Sequence, residues 1–196
     1  MRIPHWLLAL ALALPYSANV SAAPERFVLD PSHVSIGFLI GHARFAQVLG
    51  LFSDVSGEFV YDADTQTLNS GKVEIRGKSV FTGHEKRDEH VRGDDFLATD
   101  AHPMMTFQAT DYTASSDRAG VLEGDLTIRG VTQPIALDVT LNRRADHPIG
   151  GADTLGGSAR GVIERSAFDM SYALEGDLVS DAVELLIEFE ATHEPR

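Results

Sequence analysis

The chain has 196 residues, with 16 lysines and arginines against 29 aspartates and glutamates, a formal net charge of −13 and no cysteine. An acidic surface of this kind repels nucleic acid and anionic headgroups. The missing thiols exclude disulfides, thiol catalysis and anchoring through a lipidated N-terminal cysteine.

The first segment reads as an export signal. Arg2 gives a positive start, Trp6 to Leu14 (WLLALALAL) is an apolar run of secretory length, and Val20-Ser21-Ala22 places small residues at the cleavage position. The run is too short for a stable membrane span. Residues 1–22 are therefore expected to be removed, which makes the remainder one charge more negative. Residues 23–196 are then of a size for one domain with a sizeable core. The expected location is the periplasm or the medium.

Strand signals come next along the chain. Arg26 to Asp30 is a short strand stopped by Pro31, and His33 to Ile40 a second, with Val34, Ile36, Phe38 and Ile40 on one face and His42 carried to that face by parity. Ala43 to Leu49 reads as a short helix or loop. Phe52 to Tyr61 aligns Val55, Gly57, Phe59 and Tyr61, and Lys72 to Val80 sets Val73 and Ile75 opposite Lys72, Glu74, Arg76 and Lys78. Such alternation indicates a sheet wet on one side. Thr82 to Asp100 lacks period-2 order, and Thr82 is suited to cap a helix running to about Arg92.

Met105, Phe107 and Ala109 resume the strand pattern. Gly124 to Asn142 (GDLTIRGVTQPIALDVTLN) then gives the clearest pair, with Leu122, Leu126 and Ile128 before a Gly130/Pro134 break and Ile135, Leu137, Val139 and Leu141 after it. Asn142 to Gly157 is rich in glycine and reads as a lid-like loop. Ser158 to Arg165 comes after it, and a last strand, Asp181 to Thr192, turns Val183, Leu185, Ile187 and Phe189 inward. About eight antiparallel strands and one helical insertion predict an all-β, lipocalin-like barrel. Its interior is either filled by side chains or wide enough for one ligand. Gly57, Gly77 and Gly124, read as inward-facing, favour the hollow form because they withhold volume that a filled barrel needs.

Catalytic signatures are weak. HEKRDEH (His84 to His90) departs from H-E-x-x-H, and on a helix His90 points away from the face of His84 and Asp88. Neither a G-x-S-x-G elbow nor a phosphate-binding glycine loop is present. No catalytic residue, metal or resident cofactor is expected. A small hydrolase or metal-dependent enzyme built on the histidine-containing insert is the alternative class.

Four pieces in this order resemble the YceI-like family of exported, lipocalin-like barrels that bind polyisoprenoid lipids: FVLDPSHVSIGFLIGH (Phe27 to His42), LFSDVSGEFVY (Leu51 to Tyr61), HEKRDEHVRGDDFLATDAHPMMTF (His84 to Phe107) and GDLTIRGVTQPIALDV (Gly124 to Val139). The resemblance implies an apolar cavity holding the tail of a quinone or polyprenyl lipid, brings no known catalytic residues and leaves the biological role open; a carrier or store is the expected role. Phe38, Phe59, Phe107, Leu126, Ile128, Leu137, Val139, Leu185 and Phe189 are the expected tail contacts. His42, His84 and Arg87 are candidates for the polar head, with Lys86, His90 and Arg92 nearby. The expected partners are the isoprenoid lipid and, transiently, membrane components, with no nucleic acid. Oligomeric state is left open, a dimer included.

Overall fold

Eleven strands among the described residues form one antiparallel sheet that curls until its two ends meet. The computed structural model describes residues 23–194, so the expected signal peptide lies outside the described residues. In chain order the elements are β1 (Glu25–Leu29), β2 (Ser35–His42), β3 (Ala46–Phe52), β4 (Val55–Asp62), β5 (Thr67–Arg76), β6 (Val80–Phe81), α1 (Glu85–Arg92), β7 (Met104–Ser116), β8 (Ala119–Ile128), β9 (Val131–Asp146), β10 (Asp153–Glu164) and β11 (Val179–Glu194). Three staves of the barrel are interrupted. β1 and β2 lie in succession along one edge of β11, β3 and β4 form the next stave, and β5 and β6 the third. With β7 to β11 they make a closed barrel of eight staves, sealed by the β1–β11 pairing. Closure removes the sheet edges that would otherwise recruit other chains.

Two irregularities in the strands have local causes. Pro31 has no amide hydrogen to offer β11, and the chain steps out over Pro31 and Ser32 before β2 resumes. The Asn142 bulge in β9 has a larger consequence. Leu141 pairs with Gly157 and Arg143 with Gly156, so Asn142 is the extra residue and parity flips behind it. Arg144, beyond that bulge, comes to the inner side opposite Leu155.

Several expectations are corrected. Ala43 to Leu49 is a hairpin tip leading into β3, with Ala43 and Arg44 in the left-handed region that the tight turn demands. The glycine-rich stretch is no lid, because β9 runs to Asp146 and β10 starts at Asp153. Pro134 lies within β9; the turn is Arg129-Gly130, both at positive φ, a conformation matching the twist of the strands it joins. The cap of α1 is His84, not Thr82.

Candidate functional site

One end of the barrel is floored with aromatic rings. Phe27 is fully buried and stacks on Phe59 at 5.2 Å, Phe189 meets Phe59 edge-on at 6.2 Å, and Tyr61 meets Tyr112 likewise. Beneath Phe27 lies an ionic seal. The Arg144 guanidinium stands 5.1 Å from the ring centre and donates to Glu25 of β1 and, at 2.6 Å, to Asp153 of β10. These hydrogen bonds hold both carboxyls below the ordinary carboxylate range.

A depressed folded-state pKa stabilises the fold above the unfolded-state value, here 4.5 for Glu25 and 3.8 for Asp153, and that contribution is lost as pH falls through the folded-state values. Thermal unfolding midpoints measured from pH 7 downward should therefore hold steady and then drop below about pH 4. In Arg144→Met the midpoint should be lower throughout and the acid-side drop shallower. An unchanged acid slope would remove this seal from the stability of the floor.

Above the floor the wall is apolar and the interior is hollow, with a cavity of about 640 Å³. The open space depends on pairs of one ring and one glycine. A Cβ on Gly50 would lie 2.1 Å from the Phe38 ring, one on Gly124 2.3 Å from Phe107, one on Gly157 2.5 Å from Phe189 and one on Gly120 2.6 Å from Tyr112. Each aromatic side chain thus lies flat along the wall in the gap a neighbouring glycine leaves, rather than projecting into the lumen. Gly124 plays the part expected of it, whereas Gly77 has its Cβ position closed at 2.9 Å by Thr99 under the insert.

The opposite end is the mouth, bounded by the β2–β3 hairpin, the insert of residues 82–102 and the segment of residues 165–178. The insert is tied down by Arg92, which donates to the carbonyls of Lys78 and Val80, and by Arg129, which donates to those of Asp94 and Phe96. Asp88 is buried and accepts both the amide (2.7 Å) and the hydroxyl (2.6 Å) of Thr82, which hold its carboxyl below the usual aspartate range. His90, Phe96 and Tyr172 meet edge-to-face with ring centres 4.9 to 5.5 Å apart, joining the insert to the facing segment. That segment hangs on Arg165, 1 % exposed, which donates to the carbonyls of Met170, Val179 and Ser180. Around the mouth Phe45, Leu49, Tyr172 and Leu178 are exposed, Phe45 to 94 %.

Phe38, Phe59, Phe107, Leu126, Ile128, Leu137, Val139, Leu185 and Phe189 all line the cavity. His42 lies at the rim, and its ring makes no hydrogen bond among the described residues. Arg87 also lines the mouth, donating to the hydroxyl and carbonyl oxygens of Thr82 at 2.8 and 2.7 Å, with no carboxylate within ion-pair distance among the described residues. His84 is not on the wall. Its Nδ1 caps α1 by accepting the amide of Arg87, a task that turns the ring to the start of the helix and away from the lumen. Arg165 was missed by sequence reasoning, although parity gave a signal. Leu155, Gly157, Ala159, Gly161 and Ile163 alternate inward, and the next position in that series is an arginine.

Two histidines of the insert, His84 and His90, and the carboxylate between them have partners within the insert. His84 caps the helix, Asp88 holds Thr82, and His90 is paired with Asp95 at 2.8 Å. What the geometry offers is a deep apolar pocket with a few polar groups at one end, the form of a ligand-binding site.

Comparison with known proteins agrees with this architecture. The family model described as the YceI-like domain matches residues 27–191. A UPF0312 protein of Shewanella putrefaciens is 34% identical over 185 residues, covering 91% of this chain and 93% of its own. The crystal structure of a YceI protein of Campylobacter jejuni superposes with a TM-score of 0.71 at 32% identity, over 79% of this chain and 90% of that one. A domain from Saccharophagus degradans, described as polyisoprenoid-binding and implicated in plant cell wall breakdown, shares the fold at a TM-score of 0.63 and 13% identity, over 88% of this chain and all of that one. With the matched domain running almost from the first strand to the end of the last, the chain belongs to the YceI-like family.

Proposed function

We propose that this protein is an exported lipid-binding protein that holds an isoprenoid tail, of a quinone or a polyprenyl lipid, inside the barrel as a carrier or store in the periplasm or medium. The observation that carries the reading is the cavity of about 640 Å³ between the aromatic floor and the mouth. Burial contributes about 0.8 kcal/mol per methylene, so a tail of about twenty carbons gives roughly 16 kcal/mol. That outweighs an association cost of about 4–15 kcal/mol without a directional polar contact. Phe38, Phe59, Phe107, Leu126, Ile128, Leu137, Val139, Leu185 and Phe189 would touch the tail. His42 and Arg87 would face a carbonyl or phosphate at the mouth. The exposed Phe45 and Leu178 beside it give the tail an apolar path during transient contact with a membrane. The polyisoprenoid-binding description of the Saccharophagus domain names the ligand class to try first.

Organic extraction of the protein purified from its own host, with mass spectrometry of the extract, should release about one isoprenoid lipid per chain. An empty protein that also fails to take up added quinone would overturn the reading. A straight-chain lipid in its place would keep the binding function and refute the isoprenoid assignment.

A further inference from the structure

We propose that Asp30, His33, His147 and Glu190 form a binding site for a divalent transition-metal cation of the zinc type on the outer wall of the barrel. The site arises from the interruption between β1 and β2. The amide of Asp30 donates to the carbonyl of Glu190 at 2.9 Å, and the amide of Glu190 donates to the carbonyl of His33 at 3.2 Å. The two residues that flank Pro31-Ser32 are thereby both tied to one residue of β11. Glu190 is on the outward parity of β11, between the cavity residue Phe189 and the buried Ala191. The turn between β9 and β10 brings the fourth residue, His147.

Three of the donor atoms converge, and His147, outside that mutually close group, approaches it through Glu190. His33 Nδ1 is 2.7 Å from Asp30 Oδ2 and 3.9 Å from Glu190 Oε2, and His147 Nε2 is 3.8 Å from that same Glu190 oxygen. The donor atoms of Asp30, His33 and Glu190 all lie within 4.8 Å of one another. In a tetrahedral zinc site the ligand atoms stand about 2.0–2.2 Å from the ion and so about 3.4 Å from each other. The observed spacings bracket that value, and the two imidazole ring centres are 6.4 Å apart. Two imidazole nitrogens with two carboxylate oxygens suit zinc better than calcium or magnesium, which favour oxygen-only shells.

Two further features distinguish these residues from an ordinary surface ion-pair cluster. First, no lysine or arginine joins them among the described residues. The other comparable group, Glu25, Asp153 and His193, already has Arg144 donating to both carboxylates, so its charge is met. Second, the ring of His147 is held by the backbone of Ile149 with Nε2 beside Glu190. Its Nδ1 lies 2.8 Å from the carbonyl of Ile149 and accepts the amide of the same residue at 3.1 Å; the tautomer protonated at Nδ1 keeps the carbonyl contact and is the one whose Nε2 can ligate beside Glu190. An ion held by all four residues would staple the strand interruption to β11 and to the β9–β10 turn. Nothing in the lipid reading requires it.

The test uses the untagged chain lacking residues 1–22, freed of metal by chelation and titrated calorimetrically with zinc chloride. One equivalent should bind, and His33→Ala and His147→Ala should each weaken binding by about tenfold or more, about 1.4 kcal/mol. Glu190→Gln should weaken it as well. His84→Ala/His90→Ala and His193→Ala should bind as the unaltered chain does. Cobalt(II) in place of zinc should give the intense visible spectrum of a tetrahedral site. The site is refuted if zinc binds only sub-stoichiometrically, if it binds His33→Ala/His147→Ala undiminished, or if the substitutions at His84 and His90 abolish it. Circular dichroism of each variant separates loss of the site from loss of the fold, since all four side chains are partly exposed.

Discussion

Replacing Arg165 with methionine is expected to lower the thermal midpoint by about 10 °C. Methionine fills much of the same volume but cannot donate, so the carbonyls of Met170, Val179 and Ser180 lose the guanidinium that accounts for three hydrogen bonds at 2.6 to 2.8 Å. Each orphaned buried acceptor costs about 1–3 kcal/mol. Only the bond to Met170 is fully buried and the other two are partly so, which puts the total at roughly 3–5 kcal/mol, the lower part of the summed range, or about 6–20 °C for a domain of this size. Burial pulls the Arg165 pKa below the ordinary arginine value, and the nearby Asp181 opposes that shift. Asp181 itself accepts from the amide and hydroxyl of Ser166, not from Arg165. The cation's hydrogen bonds thus all go to carbonyl oxygens, with the Phe96 ring 5.7 Å from the guanidinium carbon, and Arg165→Lys, with one compact ammonium in place of a fork, should recover only part of the loss. The check is thermal denaturation by circular dichroism with matched urea titrations. A midpoint within about 2 °C of the unaltered chain would mean that the 165–178 segment does not depend on this anchor.

How far the sequence exposes this architecture depends on the range of the interaction that places each residue. Parity is local, and it carries Phe38, Phe107, Leu126, Leu137 and Leu185 to the lumen because a strand with one dry face must alternate. Parity also fails locally. One extra residue at Asn142 inverts the facing of the residues after it, and this brings Arg144 to the inner side as the seal of the floor. Capping is harder to read because Thr82 and His84 are both competent; Asp88, six residues beyond Thr82, captures its hydroxyl and leaves the cap to His84. The glycines of residues 150–157 resemble a flexible loop in composition. Gly150 and Gly151 do turn the chain at positive φ, but Gly157 sits in β10 and clears space for a ring of β11. Glu190 and His147 belong to different hairpins, and only closure of the barrel brings them to His33. No spacing rule along the chain could have found them.

The hollow interior itself is testable at Gly50. The three atoms nearest a Cβ built there all belong to the Phe38 ring, at 2.1, 2.6 and 2.8 Å, distances that real Cβ atoms do not tolerate. Gly124 and Gly157 have a backbone carbonyl among their near neighbours, at 2.7 and 3.2 Å, so substitution there would strain the sheet as well as the ring. In Gly50→Ala the free response is for Phe38 to swing off the wall into the cavity. Overpacking a filled core costs about 1–3 kcal/mol. With open space beside the ring the penalty should fall at the low end, a midpoint change of about 2–4 °C. Lipid binding should respond far more, because the displaced ring occupies volume that the tail needs, and affinity for added quinone should fall about tenfold or more. The double variant Gly50→Ala/Phe38→Leu removes the ring and should restore affinity. A simple destabilisation by the alanine would not be rescued in this way. Full affinity in Gly50→Ala, with Phe38 shown crystallographically to project into the lumen, would mean that the bound tail does not reach this part of the cavity.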